Sequence, residues 1–410
     1  MTGIAFVQER NLMKNCYVES VIYEIAKELK RLTKESVITA DKKLVLYGLD
    51  TYSFAMRTVL ANLGFRTDSY VTDDAEALLS YQRHIKSIRA RYLNSGRDLI
   101  GIYSLEERLA IPDEAIVVLS GCADCPEGKI EGLGYEKNRR FFQVYNWRQD
   151  GFMNLVRGKE RVTLQEIQNR EKDMLYRIDR FCLERGLRYW VCGGTLLGTM
   201  RHRGFIPWDD DIDLFMPWKD YQIFAQAFLC DPPYGLLIPD KIDRKFYYDL
   251  FVKMVDERIV VRENLGFIRK VHPLSVDIFP LIGMPKKTEE RQLFFSEYAE
   301  LEKQIWEDFY ACDGDIGVYN TWYPRQKAFL SKYDFDTSAY VGVLGTAYGV
   351  RDCTEKHVYN ATLRMPFEDI EVNVPCGYQE YLDNLYGTDW MELPEEGNRV
   401  SHHHMEAYWL

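Results

Sequence analysis

Closely spaced acidic residues in the segment 209–213 are the strongest chemical signal in this sequence. Asp211 and Asp213 alternate with aliphatic residues, so a β-strand would place both carboxylates on one face. Two such carboxylates repel each other unless a cation lies between them, and hard oxygen ligands favour Mg²⁺ or Mn²⁺. The spacing therefore predicts a divalent-metal site, although Asp209 and Asp210 could instead form a solvated acidic turn.

An EF-hand calcium loop is an alternative interpretation, because Asp209, Asp211 and Asp213 fall at its first, third and fifth positions. The sixth position would be Leu214, where the loop needs glycine, and the twelfth would be Asp220 in place of glutamate. These two mismatches argue against a calcium loop.

A third carboxylate lies further along the chain, in the run Leu-Ser-Val-Asp-Ile-Phe-Pro. In a strand, Asp277 would share a face with Ser275 and Phe279, and a charge in that setting needs a partner. Carboxylates from two neighbouring strands can hold two metals around a phosphoryl group in transfer. We therefore predict that Asp277 joins the other two aspartates.

Paired glycines precede the acidic segment, at the junction between a predicted strand and a helix that begins near Thr195. Glycines there let a phosphate approach the backbone, and the helix N-terminus supplies N–H donors, so Gly193, Gly194 and Thr195 are candidate phosphate-binding residues. A simple tight turn is the alternative. Arg201 and His202 could neutralise phosphate charge or cap the helix C-terminus.

Lys253 lies in a predicted strand, Leu-Phe-Val-Lys-Met-Val-Asp. Its ammonium could be a buried cation that faces the phosphates, or the side chain could extend to solvent.

The first part of the chain precedes these motifs and is predicted to form a separate domain. Apolar residues at helical spacing predict an amphipathic helix over 18–32 that packs on its own domain, and strands alternate with helices thereafter. The predicted strands are residues 42–48, a run ending at Asp73 and Asp74, 99–103 and 115–120. They resemble a Rossmann-like parallel sheet, but the loop after Gly48 lacks the second and third glycines of the dinucleotide fingerprint. NAD binding is therefore not expected, and a scaffolding or partner-binding role is favoured.

The second part begins with a long predicted helix over 163–185, which Gly186 ends, followed by a strand over 187–192. Another helix is predicted from residue 288 to about 309. We predict a Rossmann-like α/β domain over 1–145, a linker over 146–162, and an α+β nucleotidyltransferase-fold domain with helical additions over 163–410.

The composition of the chain argues against several classes of protein. The chain has 410 residues and a net charge of −11, which argues against nucleic-acid binding. Nine scattered cysteines without a secretory signal predict a reduced, cytoplasmic protein. Cys122 and Cys125 form a CxxC pair without a second pair, so zinc is not expected. No apolar run reaches the length of a membrane span, and any membrane contact would be peripheral, at the inner face.

Two motif runs together resemble the LicD/fukutin family of phosphotransferases, within the DNA-polymerase-beta-like nucleotidyltransferase superfamily. The first run is Gly-Gly-Thr-Leu-Leu-Gly, and the second is Arg-His-Arg-Gly-Phe-Ile-Pro-Trp-Asp-Asp-Asp-Ile-Asp-Leu, which ends at Leu214. Asp277 in Val-Asp-Ile-Phe-Pro-Leu is similar to the family's third acidic strand. The family's closing pattern is similar to Tyr386-Gly387, Leu393-Pro394, Arg399, His402-His403 and Tyr408.

The resemblance implies transfer of a phosphorylated alcohol, such as phosphocholine or phosphoribitol, from a CDP-activated donor to a glycan or glycolipid hydroxyl. The expected acceptors include lipopolysaccharide and teichoic acid. Asp211, Asp213 and Asp277 would bind Mg²⁺ or Mn²⁺ with Asp209 as an additional ligand, and Asp277 would be the base. Arg399, His402 and His403 would contact donor or acceptor. A metal-dependent glycosyltransferase and a non-catalytic nucleotide-binding assembly protein remain alternatives.

Overall fold

The computed structural model describes residues 16–48, 51–74, 101–110, 113–121, 125–145, 151–265, 268–346, 348–396, 399 and 406–410. The predictions for His402, His403 and Cys122 lie outside the described residues, as does the start of the strand predicted over 99–103. Within the described residues, Cys182, Cys192, Cys312, Cys353 and Cys376 have free thiols.

A parallel sheet forms the core of the first part of the chain. Its strands run in the order β4-β3-β2-β5-β6, and every neighbouring pair is parallel. The strands and the helices between them are β2 (Lys43–Tyr47), α2 (Thr51–Asn62), β3 (Thr67–Thr72), β4 (Gly101–Ser104), α3 (Leu105–Leu109), β5 (Ile116–Ser120), α4 (Glu127–Gly132) and β6 (Phe141–Gln143). Strand β5 is buried along its whole length, as expected for a parallel strand covered on both faces. The predicted α/β architecture is therefore confirmed.

The N-terminal helix begins later than its apolar pattern predicted. Residues Tyr17–Ser20 form strand β1, which pairs antiparallel with a strand of the second sheet. Helix α1 (Val21–Lys34) then begins after Ser20, whose side-chain oxygen accepts a hydrogen bond from the Tyr23 backbone N–H at 3.1 Å. Strand pairing with a distant segment, which periodicity cannot reveal, determines this boundary.

A larger mixed sheet carries the residues of chemical interest. Its centre is the antiparallel pair β10 (Val252–Leu265) and β11 (Ile268–Met284), and β8 (Asp213–Pro217) lies parallel to β11. The remaining strands of this sheet are β1, β7 (Trp190–Val191), β9 (Tyr234–Leu237), β12 (Tyr340–Gly342), β13 (Thr354–Glu355) and β16 (Glu406–Trp409). Strand β7 is shorter than predicted because it pairs with β8 through only Trp190 and Val191.

Several helices and a separate hairpin surround this sheet. They are α5 (Gly151–Leu155), α6 (Leu164–Arg185), α7 (Gly193–His202), α8 (Trp218–Ala227), α9 (Thr288–Ala311), α10 (Val318–Leu330), the hairpin β14 (Thr362–Phe367) with β15 (Ile370–Pro375), and α11 (Tyr378–Tyr386). Among the described residues, no helix combines the length and apolar character needed to cross a bilayer.

Helix α6 has the boundaries that its sequence predicted. Thr163 and Glu166 form a capping box at its start, and Gly186 ends it in the left-handed conformation with φ 65°. Its buried face carries Ile167, Met174, Leu175 and Ile178, which join the main core of the second part. The same helix also carries the buried polar residues Gln168, Glu171 and Asp179.

A second core connects the two parts of the chain. Buried residues of α1 and α2 pack in one cluster with those of α9 and α10 and with Ile268 and Ile282 of β11. Helix α1 therefore packs within this chain, against residues from both halves.

Candidate active site

Two aspartates face each other across adjacent strands. In the parallel pair β8–β11, Asp213 is the register partner of Asp277. Within β11, Ser275, Asp277 and Phe279 are partly exposed while Val276 and Ile278 are buried, so the predicted alternation is confirmed. The sheet thus brings together carboxylates that are far apart in the sequence.

The predicted strand through Asp211 is wrong in its extent, because β8 begins only at Asp213. Residues 209–212 precede the strand, although Ile212 still accepts a backbone hydrogen bond from Asp277 N at 2.9 Å. Oxygens of Asp209, Asp210 and Asp211 lie within 4.8 Å of one another. The alternative of a solvated turn does not describe Asp210, which is only 6% exposed.

The residue types and their grouping fit a divalent cation. Carboxylate oxygens from Asp209, Asp210 and Asp211 are near enough to share one ion. Asp213 follows them in the chain as the first residue of β8. Oxygen-only donor sets are those that Mg²⁺ and Mn²⁺ prefer.

Helix α7 begins beside these carboxylates. Cys192 is its N-cap residue and makes no side-chain cap, Gly193 has φ 52°, and the Thr195 hydroxyl accepts a hydrogen bond from Asp213 N at 2.9 Å. A Cβ atom on Gly194 would lie 2.8 Å from Asp209 Oδ2. Gly194 is therefore needed for close approach of the helix N-terminus to the acidic segment, which a simple tight turn would not require, and Gly193 is suited to its positive φ.

Replacing Gly194 by alanine tests this close approach. We expect Gly194→Ala to displace the Asp209 carboxylate and weaken Mn²⁺ binding by about tenfold, as metal sites lose affinity when a ligand is misplaced. Titration of Mn²⁺ followed by electron paramagnetic resonance would measure this. The matched control is Gly128→Ala in α4, where a Cβ meets nothing within 4 Å; equal Mn²⁺ affinity in both variants would contradict the prediction.

Lys253 is buried and bonds to Asp277. Its Nζ donates to Oδ1 and Oδ2 of Asp277, each at 2.8 Å, and the side chain is 2% exposed. The Ser275 hydroxyl also donates to Asp277 Oδ1 at 3.0 Å. The alternative in which Lys253 extends to solvent is therefore wrong, and its ammonium holds the carboxylate in one orientation.

The Asp277 carboxyl has a raised pKa. Burial is the main cause, and it outweighs the opposing effect of Lys253. The pKa of the Lys253 ammonium is also raised, because Asp277 and Glu263 favour its charged form more than burial disfavours it.

Charged residues continue from Lys253 into the interior of the sheet. Glu263 lies 3.9 Å from Lys253 Nζ and 3.6 Å from Lys270 Nζ, and Lys270 forms an ion pair with Asp249 at 2.6 Å. Burial would raise the pKa of Glu263, but Lys253, His272 and Lys270 hold it well below its usual range. These alternating charges connect Asp277 to Asp249, which lies just before β10.

The two basic residues at the end of α7 contact each other, and Arg201 also contacts the C-terminal segment. Arg201 donates to the backbone carbonyls of Trp390 at 2.9 Å and Glu392 at 3.0 Å, and its Nε donates to His202 Nε2. Burial lowers the pKa of His202, and the neighbouring Arg201 lowers it further. Arg201 thus connects α7 to the C-terminal segment, and His202 is disfavoured as a cation.

Arg399 lies next to the acidic segment. Its guanidinium is 5.9 Å from the ring centroid of Trp208, the residue before Asp209, and its Nε donates to the Pro394 carbonyl at 2.9 Å. Arg399 of the C-terminal pattern therefore contacts Trp208 of the central motif.

Glu171 of α6 lies close to this site, and the sequence patterns did not predict it. It is 1% exposed, burial raises the pKa of its carboxyl well above the usual range, and the charges of Asp211 and Asp210 raise it further. Its position three residues before Met174, on the apolar face of a predicted helix, is a signal that sequence analysis could have used.

Tyr381 and Asp352 form a chain of hydrogen bonds to the first residue of α7. Gly193 N donates to the Tyr381 hydroxyl at 3.3 Å, which in turn donates to Asp352 Oδ1 at 3.1 Å. No motif in the sequence predicted these contacts, because they join segments far apart in the chain.

Comparison with known proteins identifies the class of protein to which this chain is similar. Residues 186–307 match the family model described as LicD/FKTN/FKRP, nucleotidyltransferase domain, which covers the glycine pair, the acidic segment and Asp277. The protein is thus a LicD-like phosphotransferase.

This chain therefore contains a domain of the LicD/fukutin family. It is 28% identical over 269 residues to the lipopolysaccharide cholinephosphotransferase LicD of Haemophilus influenzae, covering 61% of this chain and 100% of that protein. It is 62% identical over 35 residues to the human ribitol 5-phosphate transferase FKRP, only 8% of this chain and 7% of FKRP. A yeast relative, mannosyltransferase regulator 4 of Saccharomyces cerevisiae, is 33% identical over 100 residues, 24% of this chain and 7% of that protein.

Proposed function

We propose that this protein transfers a phospho-alcohol group from a CDP-activated donor to a hydroxyl of a cell-surface glycan or its precursor, releases CMP and depends on a divalent metal. The observation that carries the proposal is the grouping of Asp209, Asp210 and Asp211 oxygens within 4.8 Å, directly before the register pair Asp213 and Asp277. The names of the relatives from Haemophilus influenzae and human support the phospho-alcohol and the glycan acceptor.

The proposed reaction is an in-line displacement at the distal phosphorus of the donor. The acceptor oxygen forms a new bond to this phosphorus, the bond to the bridging oxygen breaks, and CMP leaves with the electron pair. A bound Mg²⁺ would neutralise charge on the diphosphate. Asp209, Asp211, Asp213 and Asp277 are the residues that we assign to hold it.

Other residues of the chain position the reactants. The N-terminus of α7, with Gly193, Gly194 and Thr195, supplies a positive dipole end for the donor phosphates. Asp277 is assigned to accept the proton of the attacking hydroxyl, and Lys253 with Ser275 fixes its orientation.

A cavity beside this site supports a choline-like donor. Its volume is about 160 Å³, comparable with the engineered cavity of about 150 Å³ that binds benzene. Five aromatic residues line it, together with two carboxylates: Tyr248, Phe251, Tyr298, Trp306, Tyr319, Asp249 and Glu302. The Phe251 ring lies 4.2 Å from that of Phe279, which shares a face with Asp277, and 5.4 Å from Lys253 Nζ. The cavity therefore begins next to the proposed reaction centre.

Aromatic rings combined with carboxylates favour an organic cation over a neutral polyol. Quaternary ammonium groups bind to aromatic faces through the ring quadrupole, and a nearby carboxylate adds direct attraction. Ribitol is uncharged and would not gain this attraction. We therefore propose that the alcohol part of the donor is cationic, as in phosphocholine.

The test is nucleotide release from CDP-choline and CDP-ribitol, with Mg²⁺ and a glycan acceptor, separated by chromatography. We expect CMP from CDP-choline in preference to CDP-ribitol. Replacing Glu302 by glutamine should raise KM for CDP-choline about tenfold, which corresponds to about 1.4 kcal/mol of lost attraction, and leave KM for CDP-ribitol unchanged.

Other products would support the alternatives. Release of a nucleoside diphosphate from a nucleotide sugar would indicate a glycosyltransferase. Binding of CDP-alcohols without any CMP release would favour a non-catalytic assembly protein. A preference for CDP-ribitol, together with an unchanged KM in the Glu302 variant, would contradict only the role that we assign to the cavity. The proposed phosphotransfer would still stand.

A further inference from the structure

Helix α6 contacts the acidic segment through a polar side chain. Gln168 Nε2 donates to the backbone carbonyl of Asp209 at 2.9 Å, and Gln168 is 9% exposed. This hydrogen bond holds the first half of the helix against the segment. Because residues three apart lie on one helix face, Glu171 occupies the next position along the same buried face.

Glu171 is buried without a compensating charge. Its side chain is 1% exposed, and within the described residues its Oε2 has no hydrogen-bond partner. An unpaired carboxylate is strongly disfavoured in the interior and persists only where a cation or a proton neutralises it. The surroundings add further negative charge, since Asp209, Asp210 and Asp211 lie on the segment that α6 packs against.

We propose that Glu171 is a further carboxylate of the divalent-cation site, supplied by α6. This inference rests on the proposed function, because the cation is the one that the transfer reaction would use. The free oxygen of Glu171 would bind the cation or one of its water ligands, and the charge of the ion would compensate a carboxylate that has no other partner.

The experiment is Mn²⁺ titration of the full chain, followed by electron paramagnetic resonance, for the unaltered protein and Glu171→Gln. We expect the Kd for Mn²⁺ to rise by on the order of 10–100-fold, the range that supporting residues of metal sites show. Without metal, Glu171→Gln should melt at the same temperature or higher, because a neutral amide replaces a buried carboxyl group that has no cationic partner. A purely structural role would lower that melting temperature and leave the Kd unchanged.

Two further variants control the measurement. Glu184→Gln removes an exposed carboxylate from the same helix, where Glu184 lies 3.6 Å from Arg180, and should leave the Kd unchanged. Glu171→Asp keeps the charge but withdraws the carboxylate by one methylene, and it should also raise the Kd. It serves as the test if the glutamine variant does not fold.

The outcomes separate this inference from the proposed function. If the unaltered protein binds Mn²⁺ and releases CMP while Glu171→Gln binds Mn²⁺ equally well, the role of Glu171 is wrong and the proposed function stands. If the unaltered protein binds no divalent cation, both the role of Glu171 and the metal dependence of the reaction are overturned.

Discussion

Replacing Asp211 by asparagine is expected to reduce CMP release from a CDP-alcohol by about 1,000-fold or more, because a metal ion contributes several kcal/mol to stabilising transition-state charge. Asp211 is one of three aspartates with oxygens within 4.8 Å of one another, so loss of its charge should remove the cation from the group. Asparagine has nearly the same shape, and the fold should persist. The rate of CMP release under saturating donor and Mg²⁺ measures the effect.

The matched control is Asp231→Asn, which changes an exposed aspartate in the same half of the chain. Its rate should equal that of the unaltered protein. Equal CMP release from Asp211→Asn and the control would show that the acidic segment is not the reaction centre. Circular dichroism of both variants distinguishes lost chemistry from lost folding.

Replacing Lys253 by methionine is expected to destabilise the protein by about 3 kcal/mol, which is the low end of the cost of removing one partner from a buried ion pair. Lys253 is 2% exposed and donates to both oxygens of Asp277, so the substitution leaves that carboxylate in the interior without its cation. We expect the low end of this cost because the Asp277 side chain is 19% exposed, so water can partly solvate the unpaired carboxylate. Urea unfolding followed by circular dichroism would measure the loss as a lower midpoint.

A second substitution tests whether the unpaired charge causes this loss. In the double variant Lys253→Met with Asp277→Asn, no charge remains at either position, and most of the lost stability should return. Lys219→Met removes an exposed lysine that pairs with Asp334 at 2.7 Å, and it should change the unfolding midpoint little. A double variant less stable than Lys253→Met would contradict the ion-pair explanation.

Local sequence patterns predicted several helices and strands correctly. Helix α6 begins at its capping box and ends at Gly186, and the alternation around Asp277 follows from one face of β11 being buried. In each case the controlling residues are neighbours in the chain, so spacing and residue type carry the information.

Other elements depended on partners that are distant in the chain. Helix α1 begins at Val21, and not earlier, because residues 17–20 pair with β11, and β8 begins only at Asp213 although the alternating pattern includes Asp211. Periodicity predicts which face of a segment is apolar, but the extent of a strand depends on where its neighbour runs.

The sequence by itself determined the identity of the chemical groups: a glycine pair, an acidic segment and a third aspartate, whose residue types suit metal and phosphate. Only the tertiary structure decided that Asp213 and Asp277 are register partners, that Lys253 bonds to Asp277, and that an aromatic cavity begins beside them. The physical reason is that chemical type belongs to each side chain alone. Burial, pairing and pKa arise from groups that folding brings together from distant parts of the chain.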